Sequence, residues 1–206
     1  SGVIKRENKA ATGFAEFIYY DQNGGIHNLG KSKFNVTNRW NSKKVKGVGS
    51  VYLIDQRKHK QYKNGNIGYL WRIDSGDGRY YLSGVALSAV LGAMCSLGYA
   101  EYTGSGFSCK DGSPGDSVSH LNGENGDFRY IAINNRHMNE LTYTSHKHFD
   151  WDKNVGFLNA LYKFGYKLFG SNPVKIKENK LLPHSKSWSG HNNHVHLHNF
   201  NPNLED

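Results

Sequence analysis

The sequence predicts an α+β fold: a small antiparallel sheet with helices packed on one face, preceded by a basic N-terminal extension. Three observations predict it. Gly84–Leu97 and Asp152 to about Leu168 place apolar residues at helical spacing. The stretch His194–His198 alternates polar and apolar side chains, as a half-buried strand does. Thirteen tyrosines and 24 glycines in 206 residues indicate many short strands and turns between them.

Taken in order, residues 1–65 read as irregular, with a short strand at Gly49–Asp55 and turn signals at Asn23-Gly24 and Asn64-Gly65. They hold 13 Lys/Arg against Glu7, Glu16, Asp21 and Asp55, an excess of nine positive charges. Residues 66–206 balance, with 13 of each sign, so the net charge of +9 belongs to the first third. That divides the chain into a basic extension, 1–65, and a second domain, 66–206. A basic face could attract an anionic polymer or simply be solvated. It lacks the basic and aromatic interleaving of a single-strand nucleic-acid platform, so no specific nucleic-acid partner is expected.

Strands follow at Gly68–Ile73 and Arg79–Leu82 around the turn Ser75-Gly76-Asp77-Gly78. The first helix is capped by Ser83, carries Leu87, Val90, Leu91 and Met94 on one stripe and stops at Gly98. A strand near Tyr99–Thr103 leads into a Gly/Ser-rich loop, and Phe128–Ile133 leads out as another strand. The second helix shows Val155, Leu158, Leu161, Tyr162 and Phe164 as its apolar stripe. No apolar run reaches the ~20 residues that span a bilayer. The opening residues lack an apolar signal core, so an exported chain would depend on a removed signal or a larger carrier. Cys95 and Cys109 exclude a four-cysteine metal site, and could either pair in an oxidising compartment or remain thiols.

The chemistry concentrates in the C-terminal strand. His191-Asn192-Asn193-His194-Val195-His196-Leu197-His198 holds four histidines in eight residues. In a strand, His194, His196 and His198 share one face while Val195 and Leu197 point to the core and pin the register. Upstream, His120 precedes Asp127 by seven residues, with Gly123 and Gly126 letting the spacer fold back. Two imidazoles and a carboxylate suit zinc, and three protein ligands leave a position open for water.

The pattern Ser119-His120-x-x-Gly123-x-x-x-Asp127, followed by His191-x-x-His194-x-His196, resembles the penicillin-insensitive murein endopeptidases. More broadly it is similar to the superfamily of D-Ala-D-Ala carboxypeptidases and dipeptidases, phage endolysin peptidases and the hedgehog signalling domain. The resemblance covers roughly residues 84–198 and implies Zn2+ held by His120, Asp127 and His196 on the small sheet. It implies His191 as the general base and His194 as a cationic imidazole that offsets charge in the tetrahedral intermediate. The activity implied is hydrolysis of D-amino-acid-containing peptide bonds of peptidoglycan, in the stem or cross-link, in the periplasm or at the cell wall. An antibacterial effector domain of a larger secreted protein fits the same pattern, with a delivery protein and an immunity or inhibitor protein as partners. The alternative is a non-catalytic zinc module that binds cell wall or another anionic polymer.

Two positions differ from the common family pattern. Asn125 stands where alanine is frequent, and Ser108 stands where an arginine that orients substrate is frequent, with Lys110 and Arg129 as candidate replacements. His198 reads as structural. His146 and His148 could share a strand face as a second metal site, and His184 and Trp188 precede the active strand as candidate groove walls. His27, His59 and His137 carry no signal.

Overall fold

The computed structural model describes residues 2–5, 13–43, 45–133 and 143–205. His137 lies outside them. The described residues are mostly β, with fourteen strands and two α-helices. This corrects the expected architecture: the ligand-bearing sheet is a seven-stranded mixed sheet, not a small antiparallel one with helices on one face.

In order across that sheet lie β12 (Ser185–Ser187), β11 (Tyr166–Ser171), β13 (His194–Phe200), β10 (Gly126–Arg129), β9 (Ala100–Gly106), β7 (Ile67–Ile73) and β6 (Gln61–Asn64). Parallel pairs, β11 with β12 and β7 with β9, flank the antiparallel centre β11–β13–β10–β9. One strand of that sheet lies where the second helix was expected to continue to about Leu168. That helix, α2 (Trp151–Lys163), starts on Asp150, whose carboxylate accepts the Lys153 N–H at 3.1 Å, and ends at Phe164. The residues after it extend as β11, with Phe169 and Tyr166 fully buried, so the stripe is helical as expected but the end of the expected helix belongs to a strand. The first helix, α1 (Gly84–Ser96), follows the expectation closely, with Ser83 Oγ accepting the Ala86 N–H at 3.1 Å.

Residues 2–5 and 13–64 contribute five further strands before β6. β1 (Val3–Lys5) pairs in parallel with the C-terminal β14 (Asn203–Glu205). β2 (Phe14–Tyr20) and β3 (Ile26–Lys33) form a hairpin, while β4 (Asn35–Trp40) and β5 (Lys46–Asp55) join β8 (Tyr81–Ser83) in a three-stranded sheet. Ile4, Phe17, Leu29 and Ile54 enter the same core as α1, α2 and the large sheet. At its centre Phe128 stacks on Trp71 (5.7 Å between ring centroids) and meets the Phe157 ring of α2 edge-on at 5.1 Å. Val195 and Leu197 are buried as the alternation requires, which turns the histidines of β13 to the other face. Both cysteines are free thiols, Cys95 buried in α1. No helix among the described residues is long and apolar enough to cross a membrane.

Candidate metal centre

β10 and β13 run antiparallel with Asp127 opposite His196 and Arg129 opposite His194. Same-face residues on paired strands stand side by side, so the register alone brings Asp127 and His196 together. His120 comes from the loop between β9 and β10. The loop doubles back through Asn122 (φ 59°) and Gly123 (φ 65°). A side chain at 123 would strike Ser83 N at 2.5 Å and Leu82 Cα at 2.6 Å, so only glycine lets the loop lie against β8.

The inner atoms converge. Asp127 Oδ1 lies 2.7 Å from His196 Nδ1 and 3.2 Å from His120 Nε2, and the two imidazole nitrogens are 3.2 Å apart. The rings are nearly parallel, 8° apart with centroids at 5.1 Å. Each outer nitrogen has its own partner. His120 Nδ1 faces the Phe107 carbonyl at 3.1 Å, and His196 Nε2 faces Ser119 Oγ at 3.0 Å. In the tautomers that donate those N–H groups outward, two imidazole lone pairs and a carboxylate oxygen meet at one point. Three acceptors at that distance repel unless a proton or a cation lies between them. Ligands about 2.0–2.1 Å from a shared ion at tetrahedral angles would stand about 3.3 Å apart, close to the separations here. The His120–Asp127–His196 group, two members of it buried, could therefore bind a metal ion. Without an ion, protons on the inner nitrogens take that place: burial alone would raise the Asp127 pKa, but hydrogen bonds from His120 and His196 in that protonated form outweigh it and hold the carboxylate well below the usual range.

Around this group the expected residues divide. The His194 ring lies 4.7 Å from that of His191, on the same face as His196. Burial pushes His194 down to about 4, with Asp127 opposing, so at neutral pH this imidazole is uncharged. His191 contacts the Ser189 carbonyl through Nδ1 at 2.9 Å, and its own carbonyl accepts the Tyr130 hydroxyl at 2.8 Å. Trp188 is a wall of the site, 5.5 to 5.6 Å from the rings of His191, His196 and His198. It reaches that place because Gly170, opposite His196 on β11, has no side chain; a Cβ there would come within 2.1 Å of the indole. His184 faces away, stacked 3.7 Å from Tyr162 and bonded to Asn159. His146 and His148 lie 4.8 Å apart, but the three-ligand group found among the described residues does not include them, nor His198.

Of the candidate substitutes for the missing arginine, Arg129 stands beside His194 but is held by Asp74 at 2.9 Å. Lys110 lines a cleft of about 360 Å³ together with Lys33, Phe34 and Tyr81, which shares no residue with the metal group. Sequence reasoning missed Arg79, whose Nη1 lies 3.3 Å from His120 Nδ1 and whose Nε pairs with Asp77. It sits 41 residues upstream of His120, behind the ligand, with no motif to mark it. Ser119 carried a signal, its place next to His120, but its bond to His196 depends on the fold. No protein-family model and no curated protein matches this sequence.

Proposed function

We propose that this chain is a zinc-dependent hydrolase of bacterial peptidoglycan, cutting D-amino-acid-containing peptide bonds in the stem or cross-link at the cell wall. One observation carries the reading: two imidazoles whose outer nitrogens are engaged aim their inner nitrogens, with Asp127, at a common point. Partners on the outer nitrogens fix tautomer and ring orientation, as metal-ligating histidines require. Two nitrogens and one carboxylate oxygen suit zinc better than the oxygen-seeking divalent ions. Bound zinc would supply a Lewis acid that polarises a carbonyl and acidifies water.

The remaining roles belong to protein groups. His191, partly open to solvent and next to His194, would take a proton from the attacking water and return it to the leaving amine. His194, uncharged at neutral pH, acts as a hydrogen-bonding group toward the developing oxyanion rather than as a fixed cation. Trp188 gives the open side an apolar wall against which a peptide can lie.

A non-catalytic zinc module for cell wall is the second reading, favoured by the engagement of Arg129 with Asp74. Mass spectrometry of purified sacculi, incubated with the protein and with His196→Ala, separates the two. Shortened or uncrosslinked muropeptides from the wild type alone support the hydrolase. Stoichiometric zinc without any released muropeptide supports the binding module.

A further inference from the structure

The loop that delivers His120 is gripped by a strand from the basic first third of the chain. β4 runs beside it along residues 110–124. Asn35 Nδ2 donates to the Lys110 carbonyl, Thr37 Oγ1 to the Asp111 carbonyl at 3.2 Å, and Trp40 Nε1 to the same carbonyl at 2.8 Å. Arg39 pairs with Glu124. The centre of the grip is Asn122, two residues past His120 and buried. Its Oδ1 accepts the Trp40 N–H at 2.8 Å, and its Nδ2 donates to the Trp40 carbonyl at 2.8 Å. One side-chain amide thus occupies both backbone groups of a strand residue, as a neighbouring strand would. Its backbone N–H is used too, donated to the Gly112 carbonyl at 2.8 Å.

Two further constraints leave the loop little freedom. Gly123 is pressed on Leu82 and Ser83 of β8. Asn125 Nδ2 reaches back to the Ser119 carbonyl at 2.9 Å and closes the turn on itself. Asn122 itself holds a left-handed conformation (φ 59°), which costs asparagine less than most residues. The amide clamp therefore offsets a backbone conformation the free loop would seldom adopt.

We infer that Asn122, clamped on the Trp40 backbone, is a positioning residue for His120, so that residues 35–40 are part of the metal site rather than an accessory to it. The inference rests on the metal reading of His120, Asp127 and His196. Ligand geometry is sensitive to such support: losing a partner that orients a ligand commonly lowers metal affinity about 10- to 100-fold.

The test is metal titration of the full chain with Zn2+ under chelator competition, together with the visible spectrum of the Co2+ form. The variants are Asn122→Ala, Asn122→Gly, Trp40→Phe and His59→Ala. Asn122→Gly removes the amide while tolerating the positive φ, so it separates loss of the clamp from backbone strain. Both Asn122 variants are expected to bind Zn2+ about 10- to 100-fold more weakly and to shift the Co2+ bands, with circular dichroism unchanged. Trp40→Phe, which loses the indole bond to Asp111 while keeping the backbone groups that Asn122 grips, should weaken binding several-fold and keeps the test open if both Asn122 variants fail to fold. His59→Ala should lower thermal stability yet leave affinity and spectrum unmoved. Folded Asn122→Gly with wild-type affinity and an unshifted Co2+ spectrum would overturn the positioning role while leaving the metal site standing. Failure of the wild type to bind Zn2+ or Co2+, or equal binding by His196→Ala, overturns both.

Discussion

Two groups of buried histidines in this molecule look alike by composition and differ in how their nitrogens are used. In the N-terminal third, His27 bonds Asp21 through Nε2 at 2.9 Å and Tyr62 through Nδ1 at 3.2 Å. His59 meets Ser32 Oγ at 2.7 Å and the Leu29 carbonyl at 3.3 Å. Each ring has a protein partner on both sides, and neither needs anything further. At the junction of β10 and β13 only the outer nitrogens are engaged in that way, and the inner ones point at each other and at Asp127. A histidine that is satisfied on both sides ties strands together. A pair with inward lone pairs is arranged for a cation, and burial alone does not separate the two cases, since His59, His120 and His196 are all buried.

The largest effect that can break this comparison is metal-dependent stability. Zinc at about 1,000 times its Kd should stabilise the wild type by about 4 kcal/mol. For a domain of this size that is a rise in Tm of roughly 8–16 °C. His196→Ala should lose the whole increment, whereas His59→Ala should keep it on a lower baseline. Calorimetry with and without zinc checks both, and an equal increment in His196→Ala would erase the distinction between the clusters.

Next in size is the baseline itself. His59→Ala strands Ser32 Oγ and the Leu29 carbonyl inside the protein and leaves a cavity against Phe17, whose ring meets His59 edge-on at 4.9 Å. About 2–3 kcal/mol should be lost, read as an earlier urea midpoint in metal-free protein. A loss under ~0.5 kcal/mol would mean that the N-terminal histidines do not tie their strands as described.

This contrast also explains what the sequence made legible. The site was readable because its information is local. Alternation fixes the facing of His194, His196 and Val195, and only six residues, two of them glycines, separate His120 from Asp127. The helix at Gly84–Ser96 was readable for the same reason, with a cap and a period inside one segment. Gly49–Asp55 was legible as part of β5, but the strands of residues 14–40 were hidden because their exposed sides are apolar as well: Ile18, Tyr20, Ile26 and Val36 face solvent, which blurs the alternation that marks a half-buried strand. The first residues of β11 fall inside the range expected to be helical, and the chain leaves the helix at Gly165, whose φ of 124° marks the turn into the strand. The clamp between Asn122 and Trp40 joins positions 82 residues apart, and no local pattern announces it.

The smallest expected effect is a pH dependence, which the two clusters should share in sign and differ in response to mutation. Burial lowers the His59 pKa and outweighs the hydrogen bond to the Leu29 carbonyl, so the folded state keeps this ring neutral. In the unfolded chain it takes a proton near its ordinary value of ~6.5. The unfolded state therefore binds more protons as the pH falls through that value, and stability that is complete above about pH 6.5 is progressively lost below it. His194, pushed down to about 4 by burial, acts in the same direction. For metal-free protein the Tm should fall between pH 7 and pH 5, and His59→Gln, which cannot take up the proton, should reduce the fall without removing it. With zinc bound, protons also compete for His120 and His196, so the fall should steepen in the wild type and in His59→Gln alike. A zinc-loaded protein whose Tm declines no more steeply than the metal-free form would show that the inner nitrogens are not occupied by the ion, and would place both histidine clusters in the structural class.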